Sequence, residues 1–127
     1  MSTSNANSFS FSPDKRVRHK RDYDRVFEGK CSAAIFPLRV YARPNELPHC
    51  RLGLIVSRRV GNSVVRNRVK RMLRESFRLL QHDLPAGYDL VVIVAAHEGR
   101  TLADYQALLK RAAEQLHRQW TRRPTST

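Results

Sequence analysis

From Ser57 to Gln81 the chain reads Ser-Arg-Arg-Val-Gly-Asn-Ser-Val-Val-Arg-Asn-Arg-Val-Lys-Arg-Met-Leu-Arg-Glu-Ser-Phe-Arg-Leu-Leu-Gln, and no other stretch limits the fold as tightly. At about 100° per residue, Val65, Val69, Met72, Leu73, Phe77 and Leu80 fall within one arc, the pattern of a helix that must dock on a core. Arg66, Asn67, Lys70, Arg71, Arg74 and Arg78 share the other side. Asn62 or Ser63 can accept backbone N–H bonds at the start of this helix, and the run from His82 to Gly87 ends it. Apolar segments flank it. Arg51 to Ser57 reads as a nearly apolar strand and is expected to be central. Tyr88 to Ala96 is a continuous β-branched run that suits a strand covered on both faces. The helix therefore belongs to a strand, helix, strand unit.

The remaining elements are shorter. Asp22 to Glu28 suits a helix that stops at Gly29, with Tyr23, Val26 and Phe27 on one face as either core or ligand surface. Ala33 to Ala42 reads as one bent or edge strand broken at Pro37, with Phe36, Leu38 and Val40 alternating with Arg39 and Tyr41. Thr101 with Asp104 marks a helix start, after which Tyr105, Leu108, Leu109, Ala112, Leu116 and Trp120 recur at helical spacing towards a stop at Pro124. Residues 1–14 read as a flexible N-terminal tail, 15–120 as a single α+β domain and 121–127 as a C-terminal tail. Within the domain, the basic run from Lys15 to Arg21 reads as a solvated flank.

Charge narrows the partner. In 127 residues, 24 Lys and Arg stand against 11 Asp and Glu, a formal +13. So small a body repels itself unless a polyanion neutralises it. Nucleic acid is the first candidate and a membrane surface the second. No stretch approaches the roughly 20 apolar residues of a span, and the Ser/Asn-rich start lacks the pattern of an export signal, so a soluble cytoplasmic protein is expected. Cys31 and Cys50 match no paired zinc-ligand spacing, and the histidines are scattered. A hydrolase would need clustered carboxylates or a nucleophile with its base, and neither is present. Asp22, Asp24 and Glu28 come nearest to a cluster, and pairing with arginine is their expected role.

The basic helix is not a self-compensated face. Glu75 is the only carboxylate between Ser57 and Gln81, so i±4 pairs cannot satisfy its arginines. Arg58 and Arg59 at the preceding strand end extend the patch, and its contacts should be mostly to phosphate. Tyr23 and Phe27, with Tyr41 or Arg39 on the neighbouring strand, are candidates to hold a single strand by stacking beside charge.

Four pieces in order, Gly53-Leu54-Ile55-Val56-Ser57, Arg58-Arg59-Val60-Gly61-Asn62, Arg66-Asn67-Arg68-Val69-Lys70-Arg71 and Arg74-Glu75-Ser76-Phe77, resemble the signature of the bacterial ribonuclease P protein component. The resemblance extends from about Arg21 to Arg118. It implies a small mixed β-sheet in αβββαβα order, with a left-handed strand–helix–strand crossover against the usual right-handed rule. It implies that the chain is the protein partner of the ribonuclease P catalytic RNA, which removes the 5′ leader from precursor tRNA. On that reading the protein holds no metal and no catalytic group, and magnesium sits at the RNA active site. Arg58, Arg59, Asn62, Arg66, Asn67, Arg68, Lys70, Arg71 and Arg74 would face the catalytic RNA. Tyr23, Phe27, Arg39 and Tyr41 would line a cleft for the leader. Two positions depart from the family: Tyr23 stands where Phe is frequent, and Arg39 where relatives can carry an aromatic ring. A ribosome-associated or general RNA-binding protein without an enzymatic complex is the rival reading.

Overall fold

A computed structural model of the chain describes residues 15–85 and 87–122. The elements run α1 (Lys20–Glu28), β1 (Ser32–Ile35), β2 (Leu38–Pro44), β3 (Arg51–Val56), a 3-10 turn (Arg58–Val60), α2 (Ser63–Leu80), β4 (Tyr88–Val94) and α3 (Leu102–Arg122). They build a mixed α+β domain in the expected αβββαβα order. The four strands lie in the order β1-β2-β4-β3, with β3 parallel to β4 and the other pairs antiparallel.

Alternation along the strands divides the sheet into two unlike faces. Leu38, Val40 and Ala42 of β2, Leu90, Val92 and Val94 of β4, and Leu52 and Val56 of β3 turn to one side. There they meet Val69, Leu73 and Phe77 of α2 and Tyr105, Leu109 and Leu116 of α3, forming the main core. The apolar arc read from the α2 sequence is the side that docks. α3 begins with the predicted cap: the Thr101 N–H donates to Asp104 Oδ2 at 3.0 Å, and the Asp104 N–H donates to Thr101 Oγ1 at 3.2 Å. Near its other end Trp120 Nε1 donates to the Ala42 carbonyl at 2.8 Å.

Three sequence expectations change. The segment from Ala33 to Ala42 is two strands folded on each other, Ile35 opposite Leu38, with Phe36 and Pro37 as the turn. Proline breaks the ladder there, and the chain uses the break to reverse. β3 is not central: it pairs only with β4 among the named strands, because β4 inserts between it and β2. The basic flank is docked. Arg16 bridges Leu52 in parallel, the Val17 N–H donates to the Leu52 carbonyl at 3.0 Å, and the Val17 side chain is buried. A bare β3 edge would leave backbone donors and acceptors unpaired, and Val17 supplies apolar burial to hold the cover. The expected tail at 1–14 and the stop at Pro124 lie outside the described residues, and α3 runs two residues past the expected domain end at 120.

Candidate nucleic-acid interface

The start of α2 is fixed by the residues that open the basic run. Asn62 is the N-cap, its Oδ1 accepting the Val65 N–H at 3.0 Å. Gly61 precedes it with φ +156°, and an added Cβ would lie 2.8 Å from the Val65 side chain, so only glycine fits the turn. Arg66 Nε reaches back to the Gly61 carbonyl at 3.1 Å. Arg66 is thus half-buried against the loop and does not join the outer row.

The other cations fan round the helix instead of sharing one side. Lys70 and Arg74 turn towards the β3 edge, where they line a pocket with Arg16, Arg18, Tyr23 and Gly53. Asn67, Arg71 and Arg74 edge a second, open concavity with Glu75 and Arg78. Arg68 leans the other way, towards the first turn of α3. The reason is geometric, since a helix docked by one apolar stripe leaves most of its circumference free. Arg78 is compensated: its Nε and Nη2 donate to the two oxygens of Glu75 at 3.0 and 2.6 Å. That pair holds the Glu75 carboxyl below its ordinary range. Among the described residues, Arg58, Arg59, Arg68, Lys70, Arg71 and Arg74 make no ion pair with a carboxylate.

The opposite face of the sheet carries the aromatic residues. Arg39, Tyr41 and Arg43 of β2 project there beside Val91 and Ile93 of β4 and Gly53 and Ile55 of β3. α1 covers only part of this face. Val26 is its buried anchor, while Tyr23 and Phe27 on either side stay partly open. The Phe27 ring meets Tyr41 edge-on, with centroids 5.0 Å apart and planes at 84°. Tyr23 lies across β3: a Cβ on Gly53 would fall 2.7 Å from its hydroxyl and 2.9 Å from its ring. Burial pushes the Tyr23 hydroxyl pKa up, opposed by a backbone hydrogen bond at Leu54 and by Arg74. Beyond the helix the floor stays open, with Ile55 and Arg39 exposed and Arg39 Nη1 3.5 Å from Ser32 Oγ. The structure therefore places Tyr23, Phe27, Arg39 and Tyr41 on one face of the sheet, Tyr23 over β3 and Phe27 over β2.

Sequence reasoning missed what holds that cleft in shape. Arg51 Nε and Nη2 donate to Asp89 Oδ1 and Oδ2 at 2.7 and 2.6 Å, and Arg51 lies 3.8 Å from Asp22 of α1. Asn45 Nδ2 donates to the same Asp89 at 2.9 Å. This pairing raises the Arg51 pKa and joins β3, β4 and α1. Neither residue carries a local signal of this, because their meeting depends on the register of β3 with β4. Arg16 and Arg18 were also missed as site residues, because their flank carried no periodic signal.

Among the described residues no group of three or more His, Cys, Asp and Glu side chains could hold a metal. Cys31 and Cys50 are buried thiols, with Sγ 3.1 Å from Gln119 Oε1 and 3.0 Å from the Pro85 carbonyl respectively. Among the described residues no helix is long and apolar enough to cross a membrane.

Comparisons with known proteins converge on one family. The model described as Ribonuclease P matches residues 11–120. A ribonuclease P protein component from Syntrophobacter fumaroxidans is 37% identical over 111 residues, 87% of this chain and 93% of the relative. One from Photobacterium profundum is 46% identical over 88 residues, 68% of this chain and 74% of the relative. The RNase P protein of Thermotoga maritima superposes with a TM-score of 0.72 at 30% identity, covering 79% of this chain and 96% of that one. That of Staphylococcus aureus gives 0.69 at 30% identity, covering 79% and 93%.

Proposed function

This chain belongs to the ribonuclease P protein family, as the protein subunit of a ribonucleoprotein endoribonuclease that processes tRNA, and on that premise we propose that its two sheet faces serve two different RNAs. The α2 side, with Arg58, Arg59, Asn62, Arg66, Asn67, Arg68, Lys70, Arg71 and Arg74, meets the catalytic RNA. The α1 side, with Tyr23, Phe27, Arg39 and Tyr41, receives the single-stranded 5′ leader of precursor tRNA. The carrying observation is that α1 leaves part of an aromatic and cationic sheet face open, while the uncompensated cations of α2 lie on the other side of the same sheet.

The division of labour follows from the chemistry present. Arg71 and its neighbours are donors without carboxylate partners, suited to phosphate oxygens. By neutralising crowded phosphates they let the RNA close around magnesium at a lower concentration of the ion. The RNA holds that magnesium and breaks the phosphodiester. The cleft offers ring faces on which bases of any sequence stack, with Arg39 beside them for the backbone. Lys70, Arg74, Arg16 and Arg18 round the β3 edge next to Tyr23, so positive charge runs unbroken from one face to the other. The complex works in the bacterial cytoplasm.

Reconstitution tests this. Purified protein alone should leave precursor tRNA uncut, and adding the cognate RNA should give leader removal at magnesium concentrations where the RNA alone is slow. Phe27→Ala should weaken binding of precursor but not mature tRNA by about 10- to 100-fold, the range of one lost base–aromatic stack. Efficient cleavage by RNA-free protein, or equal losses for precursor and mature tRNA, would refute the assignment.

A further inference from the structure

At the carboxyl ends of the two parallel strands β3 and β4, where open α/β sheets place their ligand sites, the chain forms a second pocket away from the leader cleft. It opens between the first turns of α2 and the segment joining β4 to α3. Val60, Val65, Val69 and Met72 give it an apolar wall. Arg68 and Arg100 supply cations, and no carboxylate is among its lining residues. Its volume of about 220 Å³ lies below the ~300–1,000 Å³ typical of sites for drug-sized ligands, room for one planar ring system.

Its polar groups are ordered. His97 Nδ1 lies 2.8 Å from the Ala95 carbonyl, which can only accept, so Nδ1 carries a proton. In the neutral ring Nε2 then accepts from the Tyr105 hydroxyl at 2.7 Å. Tyr105 itself is only 1% exposed, so this pair is a fixed inner wall of the pocket. Burial raises the Tyr105 pKa, Arg100 opposes that rise, Asp104 adds to it and Arg68 opposes it in turn.

We infer that this pocket takes one unpaired nucleobase of the catalytic RNA, its ring against the valines and Met72 and its phosphate resting on Arg68 and Arg100. An apolar wall with two arginines among the residues beside it complements a base on a phosphate backbone. A phosphate alone would leave the apolar wall unused. The occupant belongs to the catalytic RNA because Arg68 lies on α2, across the sheet from the leader cleft. The inference rests on the reading of the α2 face given above, and it adds a base contact to what were phosphate contacts.

Gly99 allows a clean test, since it lines the pocket and an added Cβ meets nothing within 4 Å. Gly99→Cys, labelled with an aryl azide and reconstituted with the cognate catalytic RNA, should crosslink to one or two unpaired nucleotides of that RNA. The same base should be protected from base-directed chemical probing by wild-type protein. It should be exposed again with Gly99→Trp, and partly exposed with Arg100→Ala, which removes one of the two cations at the phosphate. Protection of the RNA backbone along α2 should persist in both variants. Crosslinks scattered over paired tracts, crosslinks to precursor tRNA, or base protection indifferent to Gly99→Trp while the complex still forms would overturn the pocket assignment alone. Failure of the wild-type protein to bind the RNA would overturn it together with the reading beneath it.

Discussion

The outer side of α2 and the sheet face beside α1 both present cations, yet they are built oppositely. On α2, Arg71 and Arg74 are exposed side chains on a helix whose other side already satisfies the core, so their charge is separable from the fold. In the cleft the aromatic candidates are also packing contacts: Phe27 on Tyr41, Tyr23 on Gly53. The comparison teaches that affinity for one RNA can be tuned without touching stability, whereas recognition of the other is tied to how α1 is seated. It also separates their physics. Salt should weaken the first surface steeply, and the second, relying on stacking, less so.

The most severe break should come at Asp89. Its carboxylate is buried and accepts from both Arg51 and Asn45, so Asp89→Ala leaves the Arg51 guanidinium without its bidentate partner. Removing one member of such a pair costs about 3 kcal/mol. Chemical denaturation should show that loss, and leader binding should fall with it because Asp22 of α1 leans on the same arginine. A stable Asp89→Ala protein with normal leader affinity would show that α1 is seated without this ion pair, by Val26 and its ring contacts.

Gly53→Ala comes next. The new methyl group would lie within 3 Å of the Tyr23 hydroxyl and ring, so the ring must tilt out or the helix must lift. Overpacking of this kind costs roughly 1–3 kcal/mol. We expect a moderate loss of stability with a clear loss of precursor preference over mature tRNA, read in parallel binding assays. Unchanged behaviour in both would mean that Tyr23 is mobile on β3, and the cleft would then resemble α2 more than the structure implies. This glycine also marks how much the sequence revealed. The α2 helix, its Asn62 cap and the Thr101–Asp104 start were legible because helix signals are local, set within a few residues. The resemblance supplied the element order, and the four cleft residues do share one face. Other features depended on non-local pairing. β3 is as apolar as a central strand because Val17, Tyr23 and the main core cover it, and hydropathy reports burial, not position in the sheet. Likewise Pro37 signalled a break without saying that the chain turns back there, and the meeting of Arg51 with Asp89 needs the β3–β4 register.

The smallest expected effect is on the other side of the comparison. Arg71 is exposed, and among the described residues no carboxylate pairs with it. Arg71→Ala should therefore leave unfolding free energy within about 0.5 kcal/mol of wild type. Its signature should appear in the salt dependence of binding to the catalytic RNA, where losing one phosphate contact lowers the slope of log affinity against log salt by about one. The precursor preference over mature tRNA should not move, because that difference is read across the sheet. Raising magnesium should restore activity, since the ion supplies the positive charge that the arginine no longer brings. An Arg71→Ala protein that keeps the full salt slope would place the RNA elsewhere on α2. One that loses stability would mean that the outer side of α2 is bound to the fold as closely as the cleft, and the contrast between the two surfaces would fail.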